Sequence, residues 1–244
     1  MQYNIFQIIE NSQYTGDKYM NFKYSAFTLA ETLITLGIIG VVAGLTIPTL
    51  ISNYRKHVVE TRLEKFYSEI NQAVKMSEIE NGDVAQWENL RNIYEDSQHP
   101  KYEENLAYLQ KYFIPYIKTI NIEECVSNKL SVCVTLSNGS LFRFDNDMFR
   151  FYPNAKLEKD PTQEYLGKNC FSFIFAPNDI HYRAANNKGV EPYVGSWGGD
   201  YNELFTHPVY GCTSGGSGWN HNRYCTKIIQ MNGWKIPKEY PIKF

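Results

Sequence analysis

The chain has 244 residues, with 24 Lys and Arg against 26 Asp and Glu and a formal net charge of −2. That balance supplies no clustered basic footprint, so nucleic acid is not a favoured partner. Aromatic residues make up 15%, 19 of them Tyr, and the sequence shows no low-complexity run or internal repeat, so the part after residue 82 has the material for a core of its own.

The chain opens on a polar stretch, residues 1–26, in which Glu10 and Asp17 cancel Lys18 and Lys23. Met20 offers an alternative start that would leave residues 1–19 untranslated and retain Lys23 with no acid. The character then changes at Ser25-Ala26-Phe27. Glu31 is followed by 23 uncharged residues, Thr32 to Tyr54. As a helix these would reach ~34 Å, against about 30 Å for the hydrocarbon core of a bilayer. A buried core helix is the alternative, but soluble helices rarely run so long without a polar face. A secretory signal peptide is disfavoured, because its apolar run is shorter and ends in a small-residue cleavage site. Gly40 and Gly44 form a G-x-x-x-G pair, a spacing that lets helices approach closely and that also arises by chance in such segments.

After Arg55 the composition turns amphipathic. Leu63, Phe66, Tyr67, Ile70, Ala73, Val74 and Ser77 recur at spacings of three and four on one stripe, and Asn81-Gly82 is a stop signal. The pattern predicts one helix from about Phe27 to Asn81, about 80 Å long. Its first half (27–54) is apolar all round and its second half (55–82) amphipathic. Pro48 lies inside and removes one backbone donor.

Residues 83–244 read as α+β. "KYEENLAYLQKYFIPYIKTI" places Leu106, Leu109, Phe113 and Tyr116 on one helical face, with Pro115 bending or ending the helix. "LSVCVTLSNGSLFRFD" reads as a hairpin, with Val132, Val134 and Leu136 alternating before an Asn138-Gly139 type I′ turn and Phe142 and Phe144 alternating after it. "NCFSFIFAPN" adds a third strand, and the glycine-rich "GSWGGDYNELF" and "GCTSGGSGWNHNRYC" read as loops.

The five cysteines do not form metal-type C-x₂-C pairs. Cys125–Cys133 and Cys212–Cys225 are the preferred local disulfides, with Cys170 unpaired, which requires an oxidising compartment; five reduced buried thiols are the alternative. Catalytic patterns are missing. His181, His207 and His221 lack H-E-x-x-H spacing, and Ser214 and Ser217 form no G-x-S-x-G elbow, since position 219 is Trp. Asp145, Asn146 and Asp147 are oxygen donors that read as a solvated turn before a Ca²⁺ site. Neither an enzyme activity, a metal nor a cofactor is expected.

"AFTLAETLITLGIIGVVAGLTIPTL" resembles the N-terminal segment of type IV pilins and of the pseudopilins of type II secretion systems. Small Ala26 precedes aromatic Phe27, Glu31 is fifth counted from Phe27, and Pro48 is twenty-second, which are that family's glutamate and proline offsets. The family usually has Gly where Ala26 stands. The similarity covers about Ser25 to Asn81, with a weaker echo of pseudopilin-like tails in "CTKIIQMNGWKIPKEYP". It implies cleavage between Ala26 and Phe27 by a membrane prepilin peptidase and N-methylation of Phe27. It further implies a single-pass subunit in the bacterial inner membrane, embedded in lipid, with residues 83–244 forming an extracytoplasmic domain. Such a subunit is drawn into a filament with other pilin-like subunits by an inner-membrane assembly platform. The implied fold is a long helix on a small antiparallel sheet. Charge alone argues the opposite orientation: Arg55, Lys56, Arg62 and Lys65 outnumber Lys18 and Lys23, and the positive-inside rule would keep their side cytoplasmic. Glu31 is expected to pair with the new α-amino group of Phe27 on a neighbouring subunit, which would set the stagger of the helices; its alternative place is the membrane surface, beside the helix dipole. Two other function classes remain: an extracytoplasmic enzyme or binding domain on a pilin-like anchor, and a DNA-uptake pilin.

Overall fold

A computed structural model describes residues 28–88, 90, 101–158, 165–178, 188–215 and 220–244. The leader, the Ala26–Phe27 junction, His181, Ser217 and Trp219 lie outside the described residues. The chain divides into two compact units, residues 1–47 and 48–244.

Helix α1, Leu29–Asn81, matches the predicted extent to within two residues and contains Pro48. It is long and apolar enough to cross a membrane. In the first unit its side chains stand exposed; Leu36, for example, is 66% exposed. The hydroxyls in this stretch turn inward on their own helix. Thr32 Oγ1 donates to Leu29 O at 2.8 Å, Thr35 Oγ1 to Thr32 O at 3.0 Å and Thr46 Oγ1 to Val42 O at 2.9 Å. Such back-bonding satisfies polar groups where no water is at hand.

In the second unit α1 buries Val59, Glu60, Leu63, Phe66, Ile70, Ala73, Val74 and Ser77. The predicted stripe is therefore the packed one, with Tyr67 half-buried at its margin. It lies on a six-stranded antiparallel meander in the order β1-β2-β3-β4-β5-β6. The strands are β1 Thr119–Glu124, β2 Val132–Leu136, β3 Leu141–Asp145, β4 Met148–Tyr152, β5 Phe171–Ile174 and β6 Glu191–Pro192. Successive side chains point to opposite faces. One face collects Phe142, Phe144, Phe149, Phe151, Phe171 and Phe173, all fully buried. The Phe66 ring enters this layer, with centroids 4.5 Å from Phe151, 5.2 Å from Phe173 and 5.7 Å from Phe142. Each such ring contributes ~1.5–3 kcal/mol by leaving water.

The opposite face carries Cys133, Arg143, Arg150 and Ser172 in one transverse row. It is covered too: Arg143 and Arg150 are only 4% and 5% exposed, and Cys125, Leu141, Tyr152, Leu166 and Cys170 make a second, smaller core there with Cys133. The guanidinium of Arg143 donates to Ser127 Oγ at 2.7 Å, and that hydroxyl donates to Glu158 Oε1 at 2.5 Å.

Three expectations are corrected. The second helix, α2, spans Tyr102–Tyr112 and buries Asn105, Tyr108, Leu109 and Tyr112, a stripe rotated from the predicted one. Buried Asn105 explains the rotation: its amide bridges Leu130 O at 3.0 Å and the Asn146 N–H at 2.9 Å, so a polar residue occupies the inner face. Pro115 falls after the helix, in a 3₁₀ turn at Ile114–Tyr116. The β2–β3 turn is not type I′, which needs positive φ at both central residues; only Gly139 has it (+78°). Gly139 N–H closes on Leu136 O at 3.0 Å, the arrangement of a type I turn followed by a left-handed glycine. The stretch read as the loop "GSWGGDYNELF" contains a short helix, α3, Glu203–Thr206, and α4 (Cys225–Met231) follows the second glycine-rich stretch.

Three polar devices tie α1 to the rest of the second unit. Asn71 bonds the backbone of Val190 in both directions, Nδ2 to O at 2.9 Å and N–H to Oδ1 at 2.9 Å, as a neighbouring strand would. Glu60 accepts from Ile236 N–H at 2.9 Å and lies 3.6 Å from Lys235 Nζ. Ser52 Oγ donates to Phe244 O at 2.8 Å.

Candidate functional site

The residues singled out for function lie mainly at the start of α1. Glu31 is satisfied within its own chain. Its Oε2 accepts from Thr28 N–H at 2.8 Å and from Thr28 Oγ1 at 2.8 Å, while Thr28 Oγ1 accepts from Glu31 N–H at 3.3 Å. This is a reciprocal capping box, which covers donors that the first turn leaves open and places a carboxylate at the positive end of the helix dipole. The sequence reading missed it, although Thr28-x-x-Glu31 directly before an apolar run is its signature. Both bonds use Oε2, and Oε1 has no hydrogen-bond partner among the described residues. A carboxylate has about four acceptor positions, so the cap leaves capacity for a further cation.

Gly40 and Gly44 lie on the exposed helix surface, and a Cβ at either would meet nothing within 4 Å. Pro48 follows Gly44 by four residues, so it removes the donor that would have bonded the Gly44 carbonyl. The small residues and the freed carbonyl thus fall on one short segment.

The cysteines pair as preferred from spacing. Cys125–Cys133 has Cα atoms 5.1 Å apart and Cys212–Cys225 4.9 Å, while Cys170 is a free, buried thiol. The first bridge joins the end of β1 to β2, and the second ties a glycine-rich loop to α4. Cys125, Cys133 and Glu158 form the one group of three possible metal donors among the described residues. Its two sulfurs are joined to each other and its carboxylate holds Ser127, so it is a structural cluster. Asp145-Asn146-Asp147 is the β3–β4 turn, with Asn146 at φ 61° and Asp145 Oδ2 accepting from Asn128 Nδ2 at 3.1 Å. His207 Nδ1 accepts the N–H groups of Val209 and Tyr210 at 3.2 and 3.1 Å, which makes it a turn organiser.

A further polar chain runs along the inner edge of β6. Tyr67 Oη donates to Glu191 Oε1 at 2.9 Å, and Gln230 Nε2 donates to Glu191 Oε2 at 3.2 Å. Burial, reinforced by the Glu191 charge, pushes the Tyr67 phenol up to about 12.

A long helix, apolar and exposed at its start, packed further on against an antiparallel sheet with two disulfides, defines a class of candidate membrane-anchored α+β proteins. The chain belongs to a family of unknown function, DUF6613, whose model matches residues 49–244. No curated protein and no solved structure matches it.

Proposed function

We propose that the chain is a pilin-like structural subunit, cut between Ala26 and Phe27 and assembled through the first half of α1 into a pilus or secretion-type filament. The observation that carries this reading is the helix itself. One α-helix changes from an exposed, apolar surface to a one-sided packed stripe, and Glu31 and Pro48 sit in it at pilin offsets. Capping alone would account for an acid at the helix start, but not for a proline inside the helix or for the spacing of the two. The disulfides support an extracytoplasmic place for the domain. A single-pass position in the inner membrane, with prepilin peptidase and an assembly platform as partners, belongs to the same proposal.

Glu31 then has two tasks. Oε2 caps the helix, and Oε1 receives the α-amino group of Phe27 from a neighbouring subunit. Glu31→Gln separates them, because Gln at the same position still forms a capping box while losing the charge. Expressed with a matching assembly system, the parent should yield a mature N-terminus at methylated Phe27. The variant should be inserted and largely cleaved yet be absent from filaments in electron micrographs. An intact leader on the parent, or normal assembly of the variant, sinks the reading.

A second reading draws on the family match, which begins one residue after Pro48 and leaves the apolar half outside. In it the domain is a binding module on a pilin-like anchor. Correct cleavage with no filaments under any assembly system would favour that module.

A further inference from the structure

At the end of the uncharged run the second unit contains an open cleft of about 550 Å³. Three cations line it, Arg55, Arg62 and Lys168, and none of its lining residues is Asp or Glu. Arg62 is fixed by donating Nη1 to Pro153 O, which leaves the rest of its five-donor fork uncommitted. Arg55 and Lys168 are exposed and have no hydrogen-bonding or ionic partner among the described residues. The same cleft offers the apolar surfaces of Val58, Val59 and Pro153. Three cations lining one cleft with no acidic side chain among its lining residues describe a seat for a phosphate group, and the apolar wall describes a phosphate that carries hydrocarbon.

From this geometry we infer that the cleft binds the headgroup of an anionic phospholipid. The inference rests on the reading that Thr32–Tyr54 spans a bilayer. Arg55 directly follows Tyr54, so the cleft opens where headgroups lie, and interfacial Tyr and Arg side chains are common at that depth. Cations at a membrane surface each strengthen binding to anionic lipid by about fivefold. The seat also gives these cations a reason to follow the run that is independent of topology.

The test uses the full chain purified in a neutral detergent and titrated with phosphatidylglycerol or phosphatidylcholine, bound lipid being counted by native mass spectrometry. One phosphatidylglycerol should be retained in preference to phosphatidylcholine. Arg55→Gln and Lys168→Gln should each weaken it about fivefold, and the pair about 25-fold. Lys118→Gln with Lys129→Gln, which removes the same charge away from the cleft lining, should leave it unchanged. Equal retention of the two lipids, or no loss in the Arg55/Lys168 pair, overturns the inference. Displacement by inorganic phosphate at matched concentration overturns the lipid as occupant. The span is scored separately, by retention of the chain in phosphatidylcholine vesicles through alkaline extraction. A chain that washes out fails the span and the seat together; one that stays and shows no lipid preference fails the seat alone.

Discussion

Residues 29–47 and 59–77 of α1 share one type of backbone hydrogen bonding, yet they solve different problems. The later stretch buries one stripe on the Phe layer of the sheet and gives its other faces to Lys, Glu and Arg. The earlier stretch has no polar face, buries none of its leucines or isoleucines within the chain, and folds its threonine hydroxyls back on its own carbonyls. A helix in water needs a polar face to stay apart from its neighbours; a helix in lipid needs every polar group closed internally. The contrast teaches that one half is held by its own chain while the other, long and apolar enough to cross a membrane, is left exposed, so mutations in the two should affect domain stability very differently.

The strongest way to break that contrast is Phe66→Ala. It should lower unfolding stability of the full chain in detergent by about 3–5 kcal/mol, whereas Leu36→Ala should change it by less than about 0.5. Equal losses in chemical denaturation would mean that the first half also packs on something. Cys212→Ser with Cys225→Ser should cost about 3 kcal/mol, since that bridge closes a loop of 13 residues with little apolar content; reduction in the parent should reproduce the shift. Gly189→Ala sharpens the role of the second half. A Cβ there would lie 2.0 Å from Asn71 Oδ1, so the two-way bond to Val190 should break, at a cost of about 1–3 kcal/mol. The Asn71→Ala variant should make the glycine substitution nearly neutral.

An alkaline titration probes the Tyr67–Glu191–Gln230 chain. Tyr67 loses its proton near 10 when unfolded and near 12 when folded, so the folded state holds the proton more tightly. Its contribution is whole below pH 10 and is lost as pH rises through 12. Thermal melts of the parent should fall over that window, and Tyr67→Phe should flatten the fall; a parallel fall in both would exclude Tyr67 as its source. The smallest effect belongs to the start of α1. Thr28→Ala removes half of the capping box and should cost about 1 kcal/mol of local helix stability, seen as faster amide exchange in the first turn and no change in the melting of the domain.

Much of this architecture is readable in the sequence, and the exceptions have physical causes. The α1 stripe and its stop at Asn81 follow from periodicity, and the disulfides from two short cysteine separations. β4 was missed because Met148–Tyr152 alternates Phe149 and Phe151 with Arg150, and a buried arginine defeats a reading by polarity. Arg150 is buried because loops cover the outer face of the sheet, a tertiary fact with no local signal. β6 has two residues, too short for any period. The turn type at Asn138-Gly139 was misread because the dipeptide fits both a two-residue and a three-residue loop, and the register of Thr135 with Leu141 selects the longer one. At the candidate site, Glu31 and Pro48 were legible as positions, but the capping role of Thr28 was not drawn from its spacing. The basic cleft was illegible, since Arg55 and Lys168 are 113 residues apart.

The bond between Glu60 and Ile236 spans 176 residues, and that between Ser52 and Phe244 spans 192. On a ribosome adding about 5–20 residues per second, the Glu60 carboxylate waits roughly 10 to 35 s for its partner to be made. During that interval the apolar run has already been synthesised and the sheet strands have emerged in order, each beside the last. Closure therefore comes at the end, and the carboxylate stays hydrated until the final segment covers it. The domain completes itself only after the helix that is apolar enough to cross a membrane has long been made.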